Sequence, residues 1–124
     1  MANKKIKLIL IVEELFEDLE AWYPKIRLEG DRIDVEIAAP ELRTYHGKKG
    51  LVIEPDIKIS DIDPSKYDGI IIPGGFAPDR LRRIDKVLEI IKKFYKDNKL
   101  IAFICHAGWV PISAKILKGR KGTS

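Results

Sequence analysis

The chain has 124 residues, 45% of them hydrophobic and 34% charged, with 23 Lys+Arg against 19 Asp+Glu and a formal net charge of +4. That composition excludes a disordered chain, and the length is enough for one self-supporting domain that buries roughly two thirds of its unfolded surface. A single cysteine, Cys105, excludes an internal disulfide framework and points to a reducing, cytoplasmic setting, while His46 and His106 with one cysteine match no zinc spacing.

In chain order, Leu8 to Val12 is a continuous apolar run between Lys7 and Glu13. It is too short to cross a bilayer or form a signal-peptide core, and it reads as a strand buried on both faces of a parallel sheet. Leu15, Leu19, Trp22, Tyr23 and Ile26 then recur at helical spacing up to Gly30, with Pro24 expected to kink the helix without ending it. Ile33, Val35, Ile37, Ala38 and Ala39 form a second strand that Pro40 ends, and residues 44–59, with Gly47, Gly50 and Pro55, read as an irregular hairpin excursion. Tyr67 to Ile72 is a third buried strand, stopped by Pro73-Gly74-Gly75. Ile84, Val87, Leu88, Ile91, Phe94 and Tyr95 mark the clearest helix, and Leu100 to Ile104 the fourth core strand. The spacing of Val110, Ile112, Ala114 and Leu117 predicts a last helix closed by Gly119. Strands alternating with helices mean an α/β fold.

The charge is unevenly placed. Residues 1–79 carry 11 basic and 16 acidic side chains, and residues 80–124 carry 12 and 3, so the second part has a net charge of +9. A nucleic-acid surface is nevertheless not expected. Lys86, Lys92, Lys93 and Lys96 fall on the polar side of one amphipathic helix, and the aromatic residues there point with the apolar set. Sixteen lysines, no glutamine, two asparagines and one methionine fit a thermophile pattern.

In an open parallel sheet, sites form beyond the carboxyl ends of the strands. Three unusual segments lie at such ends: Glu13-Glu14-Leu15-Phe16-Glu17, Pro73-Gly74-Gly75 and Cys105-His106. Cys105 sits at a strand-to-helix turn, which presents the side chain upward and places it at a helix start, where the thiolate nucleophile is favoured. The competing reading is a buried structural cysteine. Adjacent side chains on a tight turn tend to diverge, so the His106 backbone N–H is a better site candidate than its imidazole. Gly75 offers an unobstructed amide, and with the His106 amide it would form an oxyanion hole. A carboxyl near the start of the first helix would complete the site. Position alone does not select among Glu13, Glu14, Glu17, Asp18 and Glu20.

The segments Phe16-Glu17-Asp18-Leu19-Glu20 with Tyr23-Pro24, Ile72 to Arg80, Ile104-Cys105-His106-Ala107-Gly108, and Ile112-Ser113-Ala114 through Leu117 to Ser124 together resemble the DJ-1/PfpI superfamily, closest to its PfpI-type intracellular protease and deglycase branch. The resemblance spans essentially the whole chain. It implies a flavodoxin-like three-layer sandwich with a parallel central sheet and a nucleophile elbow. By position, Cys105 resembles the nucleophile, Glu17 the acid that contacts its sulfur, and the amides of Gly75 and His106 the oxyanion donors. Protease members of the branch also use the histidine after the cysteine and an acid from a neighbouring subunit, here matched by His106 and Asp79. Asp79 is one methylene shorter than the usual glutamate, and Ala107-Gly108-Trp109 replaces the usual Gly-Pro, which places Trp109 at the rim as a substrate-binding residue. The family continues past the Gly-Thr-Ser segment with a further strand and helix, so residues 1–124 are expected to form one domain lacking its final elements.

The resemblance implies a cysteine-dependent hydrolase without cofactor or metal, acting on a peptide or small carbonyl substrate. The candidate activities are intracellular peptidase, protein deglycase and cofactor-independent glyoxalase. It also implies self-association, from dimer to hexamer, with no nucleic-acid or membrane partner. The alternative is a non-enzymatic redox-sensing or chaperone-like stress protein that uses an oxidisable Cys105.

Overall fold

The computed structural model describes residues 4–123. A five-stranded, wholly parallel sheet is built from β1 (Lys7–Ile11), β2 (Asp34–Ala39), β5 (Ile57–Lys58), β6 (Gly69–Ile72) and β7 (Leu100–Phe103), in the spatial order β5-β2-β1-β6-β7. A two-stranded antiparallel hairpin, β3 (Tyr45–His46) and β4 (Val52–Ile53), stands apart from it. The helices are α1 (Asp18–Gly30), α2 (Ala77–Leu81), α3 (Asp85–Lys96) and α4 (Trp109–Ser113). From β1 the chain crosses through α1 to β2 on one side, and from β6 it crosses through α3 to β7 on the other. Right-handed crossovers in these opposite directions place α1 and α3 on opposite faces of the sheet, giving the three-layer α/β sandwich of the flavodoxin type.

The apolar runs that read as buried strands are buried where they lie in the middle of the sheet. Ile9, Leu10, Ile70 and Ile72 have no exposed surface, and α3, which packs on β6 and β7, buries its Val87, Ile90, Ile91 and Phe94. The excursion over residues 44–59 contains the expected hairpin, and it also returns β5 to the sheet beside β2.

Four expectations are corrected. The first concerns α1, which starts at Asp18 and leaves Leu15 in the preceding loop at φ 63°. Its stripe of Leu19, Tyr23 and Ile26 faces outward, at 70%, 65% and 63% exposure, while Asp18 and Ala21 face inward. The helix runs through Pro24 unbroken. Second, β7 is an edge strand and not a core strand, so Leu100 and Phe103 are exposed. Third, the last helix is short. α4 ends at Ser113, and Lys115 adopts φ 61°, a left-handed conformation that cannot continue a helix. Finally, α2 follows the Gly-Gly turn directly, where no helix was expected. Ser124, the last residue of the quoted motif, lies outside the described residues.

Candidate active site

The strand order reverses between β1 and β6, because the chain leaves β1 toward β2 and later returns to β1's other side. The crevice beyond the carboxyl ends of strands at such a reversal is where open α/β sheets bind ligands. The loops after β1, β6 and β7 meet there.

The register Ile72↔Phe103, extended by the hydrogen bond from Ile104 N to the Ile72 carbonyl (3.4 Å), brings the residues after β7 beside the turn after β6. Cys105 then takes φ 59°, and its side chain is exposed at the top of the sheet. For a non-glycine residue this left-handed conformation costs about 1–2 kcal/mol, a strain characteristic of functional turns. A single 3-10 turn, Cys105–Gly108, follows and leads into α4.

The turn after β6 is packed tightly against Cys105. A methyl group at Gly74 would lie 2.8 Å from Cys105 Cβ, 2.6 Å from Glu20 Oε1 and 3.0 Å from the Ile104 carbonyl. Cys105 and the Glu20 carboxylate therefore flank one shared point, and the Gly74 amide donates to Glu20 Oε1 at 2.8 Å. Gly75 has φ +85°, and a Cβ there would stand 2.6 Å from Glu17 N and from the Leu15 carbonyl, both backbone atoms. Only glycine fits. Among the described residues neither the Gly75 amide nor the His106 amide donates to a backbone acceptor, so both remain available as donors.

His106 departs from the expected divergence. Its Nδ1 lies 3.6 Å from Cys105 Sγ, and its ring meets Trp109 edge-on at 5.3 Å between centroids. Trp109 in turn has the Arg82 guanidinium 5.4 Å from its ring centre, and Arg82 Nε donates to Ser113 Oγ at 2.8 Å. Imidazole, indole and guanidinium thus form one contiguous wall beside the thiol.

Two of the sequence-derived residues are engaged elsewhere. The Glu17 carboxylate accepts from Lys48 Nζ at 3.1 Å, and that ammonium also sits 5.2 Å from the Phe76 ring centre. The carboxylate that accepts from the Gly74 amide is that of Glu20, one helical turn further on. Asp79 pairs with Arg83, four residues on, at 3.0 Å. Glu20 was one of five carboxylates that position left undecided. No local signal selects it, because the Gly74 amide that it accepts from is 54 residues away in sequence.

The rim is held by polar anchors. Asp18, buried at 2% exposure, accepts from the amides of Lys49 and Leu51, both at 2.8 Å, and so ties the hairpin to the start of α1. Burial alone would raise the Glu14 carboxyl, but the Arg43 guanidinium at 2.7 Å and the His46 amide and ring at 2.9 Å hold it below the usual carboxylate range. Among the described residues no His/Cys/Asp/Glu cluster is arranged to hold a metal ion.

These features have counterparts in known proteins. The description "DJ-1/PfpI family" matches residues 5–124. The chain belongs to the DJ-1/PfpI family. It is 39% identical over 119 residues to Deglycase PfpI of Pyrococcus furiosus, a match covering 96% of this chain and 72% of that protein. It is 34% identical to General stress protein 18 of Bacillus subtilis, over 94% of this chain and 69% of the relative. Among solved structures, a two-domain Anabaena variabilis protein containing DJ-1/ThiJ/PfpI-like and ferritin-like domains superimposes with a TM-score of 0.90 at 30% identity. That match covers 93% of this chain and 34% of the other. Oxidized DJ-1 of Toxoplasma gondii gives a TM-score of 0.85 at 27% identity, over 92% of this chain and 63% of the other.

Proposed function

We propose that the chain is a cysteine-dependent deglycase, a hydrolase that releases carbonyl adducts from amines or thiols. The observation that carries this reading is the shared contact of Cys105 and Glu20 with Gly74, beside the free amides of Gly75 and His106. A strained, exposed thiol suits nucleophilic attack. In the attack a C–S bond forms as the carbonyl π bond breaks, and the oxygen takes the negative charge that the two amides stabilise. Glu20 is in reach to move the accompanying proton, in place of Glu17. The adduct's amine or thiol leaves with a proton as Cys105 takes its place in a hemithioacetal. An internal shift of hydrogen reduces the adjacent carbonyl to an alcohol while oxidising the sulfur-bearing carbon to a thioester. Water cleaves that thioester, regenerating the thiol and releasing a 2-hydroxy acid. Relatives named deglycases support the same reading.

A peptidase would instead draw on His106 with an acid. Within this chain Asp79 is held by Arg83, so that route requires a neighbouring copy to bring its own Asp79 to His106. The two readings separate on substrate. Incubation with the methylglyoxal adduct of N-acetylarginine should release N-acetylarginine and a hydroxy acid, while a fluorogenic peptide should stay intact. If the peptide is cut and the adduct is not, the deglycase reading fails. If neither is consumed, the enzyme reading fails with it.

A further inference from the structure

A nucleophilic thiol is activated by an adjacent base that a third group orients. His106 is the base within reach, with Nδ1 3.6 Å from Cys105 Sγ. Its side chain is exposed, and among the described residues its ring has no other hydrogen-bond partner, so no carboxylate orients it. An imidazole held by one contact to sulfur turns away unless something packs against it. Trp109 does so. Residues Cys105–Gly108 form a 3-10 turn, in which side chains three residues apart eclipse, and this brings His106 and Trp109 to one side as the turn passes into α4. Their rings meet edge-on at 5.3 Å with 61° between the planes, an attractive arrangement for an aromatic pair.

The indole is itself held. Trp109 and Ser113 stand four residues apart on one face of α4. Arg82, at the end of α2, reaches both: its Nε donates to Ser113 Oγ at 2.8 Å, and its guanidinium lies 5.4 Å from the Trp109 ring centre. The packing of α2 against the turn and against α4 brings it there. Arg82 is half-buried, and among the described residues it pairs with no carboxylate, which leaves its cation to the indole face. All of these side chains belong to one chain.

We propose that Trp109 is the positioning residue of the Cys105–His106 pair: backed by Arg82 and Ser113, it keeps Nδ1 on the sulfur from within a single chain, in place of a carboxylate. With Nδ1 there, the S–H proton passes to the imidazole and the electron pair stays on sulfur as the thiolate. Glu20, on the Gly74 side, is left with the proton transfers on the substrate. This role requires Cys105 to be a nucleophile, but it does not depend on which carbonyl compound Cys105 attacks.

Cys105 is the sole cysteine, so its rate of alkylation by iodoacetamide at neutral pH reads the pair without any substrate, and this assay and the adduct assay fail independently. An unassisted thiol is only a few per cent thiolate at neutral pH, so Trp109→Ala and His106→Ala should each slow alkylation about tenfold. The double variant should be no slower than His106→Ala, because the indole acts only through the imidazole. Trp109→Phe keeps an aromatic edge and should stay within about twofold of the parent. Arg82→Met should slow the reaction about threefold, and only where His106 is present. Dilution should leave the parent rate unchanged. Four results would overturn the proposal: Trp109→Ala at the parent rate or faster, an equal slowing by Trp109→Ala in the His106→Ala background, Trp109→Phe as slow as Trp109→Ala, or a parent rate that falls on dilution, which assigns the ring's orientation to a neighbouring copy. If Trp109→Ala loses its circular dichroism spectrum, Arg82→Met in the two backgrounds decides by the same criterion.

Discussion

Gly74→Ala probes the contact on which the site is built. The added methyl would stand 2.6 Å from Glu20 Oε1, 2.8 Å from Cys105 Cβ and 3.0 Å from the Ile104 carbonyl. Carbon atoms pack at about 3.5–4.0 Å, so Glu20 Oε1 and Cys105 Cβ must retreat by roughly 1 Å and the Ile104 carbonyl by less. The Glu20 side chain is able to swing away, but only by giving up its 2.8 Å bond from the Gly74 amide. Cys105 Cβ and the Ile104 carbonyl belong to a turn already at φ 59° and have little freedom. Overpacking typically costs about 1–3 kcal/mol and loss of a hydrogen bond to a charged group about 1.5–3, so a loss of about 2.5–6 kcal/mol is expected. Urea denaturation measures this, and the rate of Cys105 alkylation by iodoacetamide reports the site locally. Glu20→Gln is the control, since its amide oxygen still accepts from Gly74 and the methyl is absent. A stability change below about 0.5 kcal/mol, the range of neutral surface substitutions, together with an unchanged alkylation rate would refute the close three-way contact.

Two further predictions concern the anchors around the site. Asp18→Ala leaves the amides of Lys49 and Leu51 without their buried acceptor, and at about 1.5–3 kcal/mol for each hydrogen bond to a charged group the loss should reach about 3–6 kcal/mol; denaturation indistinguishable from the parent would contradict it. The Lys7 amide, followed by the Lys4 ammonium, holds the Asp68 carboxyl below its ordinary value, so its contribution is complete above about pH 4 and lost as pH falls through the depressed folded value. Stability measured against pH should therefore fall on the acid side, and less steeply in Asp68→Asn.

Much of this architecture was legible because the central strands announce themselves. Leu8 to Ile11 and Ile70 to Ile72 are buried on both faces, which is the circumstance that produces an unbroken apolar run. Ile84 to Tyr95 read correctly because α3 packs a simple apolar face on the sheet. The orientation of α1 was not legible. Its inward face is fixed by polar contacts, Asp18 to the hairpin amides and Glu20 to the Gly74 amide, so the apolar stripe is the wrong guide to its rotation. The same rotation explains the choice between two glutamates. Glu17 and Glu20 are one turn apart and equally plausible in sequence, and only the long-range pairing of Glu17 with Lys48 and of Glu20 with Gly74 separates them. For β7, a strand's composition does not reveal whether a neighbour lies on both sides. Apolar Leu100 to Phe103 looks the same at an edge as in the middle.

The central claim is that Cys105 acts with Glu20 and not with Glu17. Its most direct test is the rate at which the methylglyoxal adduct is consumed by the parent protein and by Cys105→Ser, Glu20→Gln and Glu17→Gln. General acid–base groups contribute typically about 10²–10⁴-fold. The expected result is no consumption by Cys105→Ser, a fall of at least about 100-fold in Glu20→Gln, and a rate close to the parent's in Glu17→Gln. A severe loss in Glu17→Gln with Glu20→Gln near the parent rate would contradict the account, as would undiminished turnover by Cys105→Ser.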